Sequence, residues 1–356
     1  MKKFKQKIWL SVLAVAISGT MALADVFTVS NDPTIPAQYT NLTDALAVAD
    51  DGDTLLVKAT RNSYSTVNLT QPITIIGEGF YPNKDISRRV YLSISIRSGS
   101  ENSTLLGVNG SISTYTTSGQ QVNNINIERC VLTSCLIYGS NWVIKHCIMD
   151  GNIHFYNVAS NVSITNCIFK QYNSYLSCEN TSSNSNVLIN NNVFFNYHAS
   201  FQFSNNLNNT IVSNNIFYGR SPSDQTGFSD VTFLNNLSYG APDNTFPDDA
   251  PNGVYSTDNL ENEDPKFVTD GIPTDEDFSL DGDIHLQDGF PAKTGASDGG
   301  QIGIYGGPDP WPEFDASVPH MNHPIPPIPM VQRMHILNTP TKDGTLKVKV
   351  KAKAVD

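Results

Sequence analysis

The chain has 356 residues, 39% of them hydrophobic and 16% charged, with a net charge of −12. That apolar share is enough for a core and excludes a wholly disordered chain. The acidic balance excludes the basic groove that nucleic acids and other polyanions require.

Residues 1–24 have the pattern of a secretory signal. Lys2, Lys3, Lys5 and Lys7 precede an apolar run from Ile8 to Ile17, and Ala22-Leu23-Ala24 is a small-residue cleavage site. The run is too short for a bilayer span. Cleavage after Ala24 predicts a secreted, periplasmic or surface protein with no membrane span in the mature chain. Losing four lysines would take the net charge to −16.

Between about residues 60 and 240, Val, Ile, Asn, Ser, Thr and Tyr dominate, which is strand and turn chemistry. Six segments repeat. They are Ile127-Glu-Arg-Cys130-Val-Leu132, Ile144-Lys-His-Cys147-Ile-Met149, Ile164-Thr-Asn-Cys167-Ile-Phe169, Ile189-Asn-Asn-Asn192-Val-Phe194, Val212-Ser-Asn-Asn215-Ile-Phe217 and Phe233-Leu-Asn-Asn236-Leu-Ser238. Their fourth positions are 17, 20, 25, 23 and 21 residues apart. A repeat of this length is one coil of a solenoid: a single coil cannot bury its apolar face, so coils stack. Cys130, Cys147, Cys167, Asn192, Asn215 and Asn236 are then one inward ladder, the cysteines filling the slot as small hydrophobes without disulfides.

The residue after the ladder position is also apolar: Val131, Ile148, Ile168, Val193, Ile216, Leu237. Neighbouring strand residues point to opposite faces. This column is therefore expected to face outward under a loop, the C-terminal tail or a partner, unless a local bend turns it inward.

The sequence resembles secreted right-handed parallel β-helix proteins, the pectin-lyase-like group. The likeness rests on Leu42–Val57, read as a short capped helix, a turn at Asp51-Gly52-Asp53 and a first strand; on the ladder; and on the string Asp264-Pro-Lys-Phe267, Asp283–Gln287, Phe290-Pro-Ala292 and Gly300–Gly307, similar to a final coil. It covers residues 25–307 and implies an all-β, single-stranded right-handed parallel β-helix with an N-terminal helical cap. Residues 308–356 form a Pro-rich tail that ends in the alternating strand Leu346–Ala354. The fold hosts lyases, hydrolases and adhesins, so it leaves activity open.

A lyase needs carboxylates for Ca²⁺, a base for a ring proton and cations facing the substrate's acids. Arg129 and His146 stack on neighbouring coils beside Glu128 and Lys145, with Asp150 close by, and the resemblance implies an outside position. Arg129, Lys145, His146 and Asp150 are the catalytic candidates; the alternative is a solvated corner. Tyr172, Tyr175 and Glu179 are the sugar-binding candidates, and Asp281 and Asp283 the candidate ligands of a structural Ca²⁺; no other cofactor is expected. Two classes remain open. One is a non-catalytic exported protein presenting an elongated surface to a polysaccharide or cell-surface protein. The other is a polysaccharide lyase or glycoside hydrolase.

Overall fold

The computed structural model describes residues 24–78, 89–114, 120–156, 159–170, 176–178, 184–195, 207–222, 230–272, 283–311, 329–336 and 348–354. Residues 1–23 of the signal-like segment, Tyr172, Tyr175, Glu179, Asp281 and most of the Pro-rich tail lie outside these residues.

The chain builds two long parallel sheets by turns. The first runs through Val26–Val29, Thr54–Val57, Thr74–Gly77, Thr104–Leu106, Asn126–Glu128, Val143–Lys145, Ser160–Thr165, Asn184–Asn190, Thr210–Ser213, Val231–Leu234 and Val254–Thr257. The second runs through Val67–Leu69, Ile94–Ile96, Asn109–Thr114, Val131–Ile137, Ile148–Phe155, Ile168–Phe169, Val193–Phe195, Ile216–Tyr218 and Leu237–Tyr239. From Thr54–Val57 to Val254–Thr257, a strand of either sheet pairs with its counterpart one coil on and not with the next strand of the chain. That pattern is a parallel β-solenoid, as the repeat predicts.

Register confirms the ladder. Ile127, Ile144, Ile164, Ile189, Val212 and Phe233 are successive partners, and all are buried. Cys130, Cys147, Cys167, Asn192, Asn215 and Asn236 are each 0% exposed. The residue before each of them has positive φ, from 51° to 56°. This bend takes the ladder N–H out of the sheet, and a buried N–H needs an acceptor. The side chain one coil on supplies it. Asn192 N donates to Asn215 Oδ1 at 2.8 Å, and Asn215 N to Asn236 Oδ1 at 3.0 Å. Asn192 and Asn215 Nδ2 donate to the carbonyls of Ile164 and Ile189 at 2.9 Å. In the cysteine coils, Cys130 N and Cys147 N each reach the next Sγ at 3.4 Å. The ladder continues to Asn259, which accepts from Asn236 N at 2.8 Å. Ser256 stands there in place of the apolar residue, which hides this coil from the sequence pattern.

Cys130, Cys135, Cys147 and Cys167 are free thiols. Burial pushes the Cys130, Cys135 and Cys147 thiols well above their ordinary range, so they pack as hydrophobes. Two positions beyond the ladder, Phe169, Phe194 and Phe217 stack at 4.4 and 4.9 Å. Ser238 ends the stack, and Phe246 packs against Phe217 and Phe233 instead.

At the start, a helix of five residues spans Leu42–Leu46. Asn41 caps it, accepting from Asp44 N at 2.9 Å, and Leu42 and Ala45 enter the core. Asp53 holds the turn before the second strand, accepting from the N–H groups of Asp25 and Asp50 at 2.7 Å. Pro329–Ile336 and Val348–Ala354 pair as an antiparallel hairpin. Among the described residues no helix is long and apolar enough to cross a membrane.

Candidate functional site

The outward column is covered. Val131, Ile148, Ile168, Val193, Ile216 and Leu237 are at most 5% exposed and form a second core with Phe267, Ile284, Leu286, Ala292, Ile302, Ile304 and Trp311. No local bend turns the column inward: a separate strap seals it from outside. Burying each aliphatic side chain is worth about 1.5–3 kcal/mol. The string that resembles a final coil therefore adds no rung. Phe267 and Leu286 bridge antiparallel to each other, and residues 295–311 run back along the solenoid, against the direction in which it builds.

The positive-φ column fastens this strap rung by rung. Asn235 Nδ2 donates to Gly295 O at 3.0 Å. Asn214 Oδ1 accepts from Ser297 N at 2.8 Å, and its backbone carbonyl from Gly303 N at 2.8 Å. Asn191 Nδ2 reaches Gly303 O at 3.1 Å, and Asn166 Nδ2 donates to Ile304 O and Gly306 O, both at 2.9 Å. His146 Nε2 lies 2.7 Å from Asp309 O, and Trp311 Nε1 donates to Asn166 O. Asparagine suits the column because it tolerates left-handed backbone and its amide can meet a carbonyl.

Three of the four catalytic candidates meet at the end of this strap. Glu128 lies 3.2 Å from Arg129 Nε, 3.6 Å from Lys145 Nζ and 3.8 Å from His146 Nδ1. Lys145 Nζ also contacts Asp309 Oδ2 at 2.6 Å. Burial pushes the Glu128 carboxyl up, but His146, Lys145 and Arg129 outweigh it and hold the group below its ordinary range. Asp309 is likewise lowered: burial opposes, and Lys145, His146 and Arg129 prevail. Lys145 is raised, since Asp309 and Glu128 outweigh its desolvation. The expected outside position holds for the backbone but not for exposure. His146 is 3% exposed, beneath Asp309 and with its ring edge-on to Trp311 at 6.3 Å. Neither a solvated corner nor an open groove describes it.

Asp150 does not join the cluster; its carboxylate pairs with Lys170 at 2.9 Å. Asp283 Oδ1 accepts from His285 N at 3.0 Å and lies 2.6 Å from His285 Nδ1, and the His285 ring stacks on Tyr305 at 3.5 Å. Among the described residues no three His, Cys, Asp or Glu side chains gather to hold a metal.

Two features escape the sequence reading. Asp309 and Trp311 are far from the coils in sequence, and no spacing rule links them to His146. A second asparagine column lies on the surface. Asn102, Asn124, Asn141, Asn161, Asn186 and Asn209 are exposed and have positive φ. Nδ2 of each donates to Oδ1 of the one before: Asn124 to Asn102 at 3.1 Å, Asn141 to Asn124 at 2.9 Å, Asn161 to Asn141 at 3.1 Å, Asn186 to Asn161 at 3.0 Å, and Asn209 to Asn186. From Asn124 onward the signal is in the sequence: Asn recurs six residues before each ladder position through Asn209.

The fold and site together define a parallel β-solenoid with a strapped outer wall. Among solved structures it is similar to AlyGC, an alginate lyase of the PL6 family, at 16% identity and TM-score 0.33, with 65% of this chain and 40% of that one covered. A mutant of the same enzyme gives TM-score 0.29 over the same shares. ORF18 of Geobacillus virus E2 gives 13% identity and TM-score 0.27, covering 53% of this chain and 42% of that one. The chain thus spans less than half the length of each. No family model and no curated protein matches it.

Proposed function

We propose that this is an exported right-handed β-helix that presents its outer wall to a glycan or a surface protein and performs no chemistry there. The charged cluster at Glu128, Arg129, Lys145 and His146 latches the strap. One observation carries this reading: the group best suited to proton transfer, His146, is buried with Nε2 against a strap carbonyl, while Lys145 is engaged by two carboxylates. A base that must reach a sugar-ring proton needs access to it. Export is supported by the signal-like first 24 residues, and the right hand by the preference of parallel crossovers. In the same reading the Leu42–Leu46 helix caps the first end of the core.

The second reading, a polysaccharide lyase or glycoside hydrolase, is favoured by the same cluster, because a carboxylate, an imidazole and two cations stand on adjacent rungs. The full chain incubated with polyuronides and neutral polysaccharides tests both. The first reading expects no unsaturated or reducing ends. Product that disappears in Lys145→Ala or Arg129→Ala would establish the second.

A further inference from the structure

We propose that the exposed asparagine column is a track for an extended, uncharged polysaccharide lying along the solenoid axis. This rests on the glycan-presenting reading above and names its surface and ligand class.

The molecule shows what such a column can hold. At the covered corner, Asn235, Asn214, Asn191 and Asn166 grip a turn-rich segment of chain that runs along the axis. The exposed column repeats that backbone geometry, with φ from 53° to 69°, yet its amides bond to one another. An amide has two N–H donors and two acceptor lone pairs. Each of Asn124, Asn141, Asn161 and Asn186 spends one donor and one acceptor on its neighbours. One of each is left per rung, at a spacing of about 4.8 Å. A sugar hydroxyl both donates and accepts, and one sugar residue of an extended chain is comparable to a rung in length. The amides are already ordered, so binding does not have to freeze them.

The flank fits the same ligand. Two residues on, the register aligns Asn126, Val143, Ser163, Leu188, Ile211 and Thr232. Val143 is 39% and Ile211 44% exposed, giving a low apolar strip for the C–H face of a sugar ring beside a row of amides. None of these six carries charge. With a net charge of −12 for the chain, the column and its flank offer polyuronates no cation of their own and the chain's field repels them.

The test is affinity electrophoresis of the full chain through gels holding a neutral glucan, mannan or xylan, or a polyuronate. Asn141→Gly/Asn161→Gly removes two amides but keeps a residue that accepts positive φ. Val143→Lys/Ile211→Lys alters the strip alone. The expected result is retardation by a neutral polysaccharide, at least tenfold weaker in each variant, with the melting temperature little changed. Wild-type binding that survives both variants overturns the track while leaving the presenting role standing. Retardation by polyuronate alone overturns the charge argument. Absence of any retardation overturns the inference, and cleavage of the polymer overturns the reading beneath it.

Discussion

Lys145 Nζ and Asp309 Oδ2 lie 2.6 Å apart although 164 residues separate them in the chain. The contact ties the sixth strand of the first sheet to the end of the strap, beside the most buried ionisable side chain of the cluster, His146. Asp309 is 55% exposed at its side chain, so the ion pair itself is worth little, about 0.5–1 kcal/mol. Its neighbour Trp311 is 7% exposed and belongs to the second core.

The two residues should therefore separate in mutagenesis. Asp309→Asn is expected to cost about 0.5–1 kcal/mol, and Trp311→Ala about 3–5 kcal/mol. Denaturant melts of the two variants check this ordering.

Glycine 306 offers a more selective lesion. A Cβ there would meet Gln301 O at 1.6 Å and Asn191 Nδ2 at 2.6 Å. The first clash is with backbone, which has no rotamer to yield. Gly306→Ala should lift the strap from Asn191 and Asn166 while the coils stay folded. Limited proteolysis is expected to cut between residues 295 and 311 in the variant and not in the wild type, with far-ultraviolet circular dichroism unchanged.

The latch should weaken at both pH extremes. Glu128 and Asp309 have lowered carboxyl pKa values in the folded chain. Their contribution is present above the unfolded carboxylate range and is lost as pH falls through the folded values. Lys145 is raised, so its contribution is full below the unfolded lysine value and disappears as pH rises through the folded one. Strap protection measured against pH is expected to form a plateau spanning neutrality, and Lys145→Met should remove its alkaline edge.

In the inner ladder, Asn215→Ala would strand the buried N–H of Asn192 and the carbonyl of Ile189. Each orphaned group costs about 1–3 kcal/mol. Cys147→Ala loses weaker sulfur contacts and is expected to cost less. Equal melting temperatures for the two would contradict the account of the ladder.

Calcium removal is a separate check. Asp283 already serves His285, so chelator is expected to leave the melting temperature unchanged. A fall on adding chelator, reversed by Ca²⁺, would show that the loop holds an ion.

The coils were legible because a repeat writes the same burial pattern again and again. Ile144, Cys147 and Met149 announce an inward face by spacing alone, and Ile148, set between Cys147 and Met149, announces an outward apolar stripe needing cover. What covers it was not legible. Trp311 reaches Asn166 and Asp309 reaches Lys145 through tertiary folding, and no local pattern encodes a contact over such separations. Charge was misleading for the same reason: His146 reads as a surface residue until the strap lies over it. The exposed asparagines were written plainly, six positions ahead of the ladder, but a polar residue repeating on a surface carries no burial pattern and so nothing that marks it apart from ordinary turn chemistry.

The central claim is that residues 295–311 are a fixed part of the wall, sealed over the apolar column. Native-state hydrogen exchange on the strap amides tests it most directly. The account predicts that Gly303 N–H, bonded to Asn214 O at 2.8 Å, exchanges as slowly as the rungs beneath and loses that protection in Gly306→Ala. Exchange at unprotected rates in the wild-type chain would contradict it.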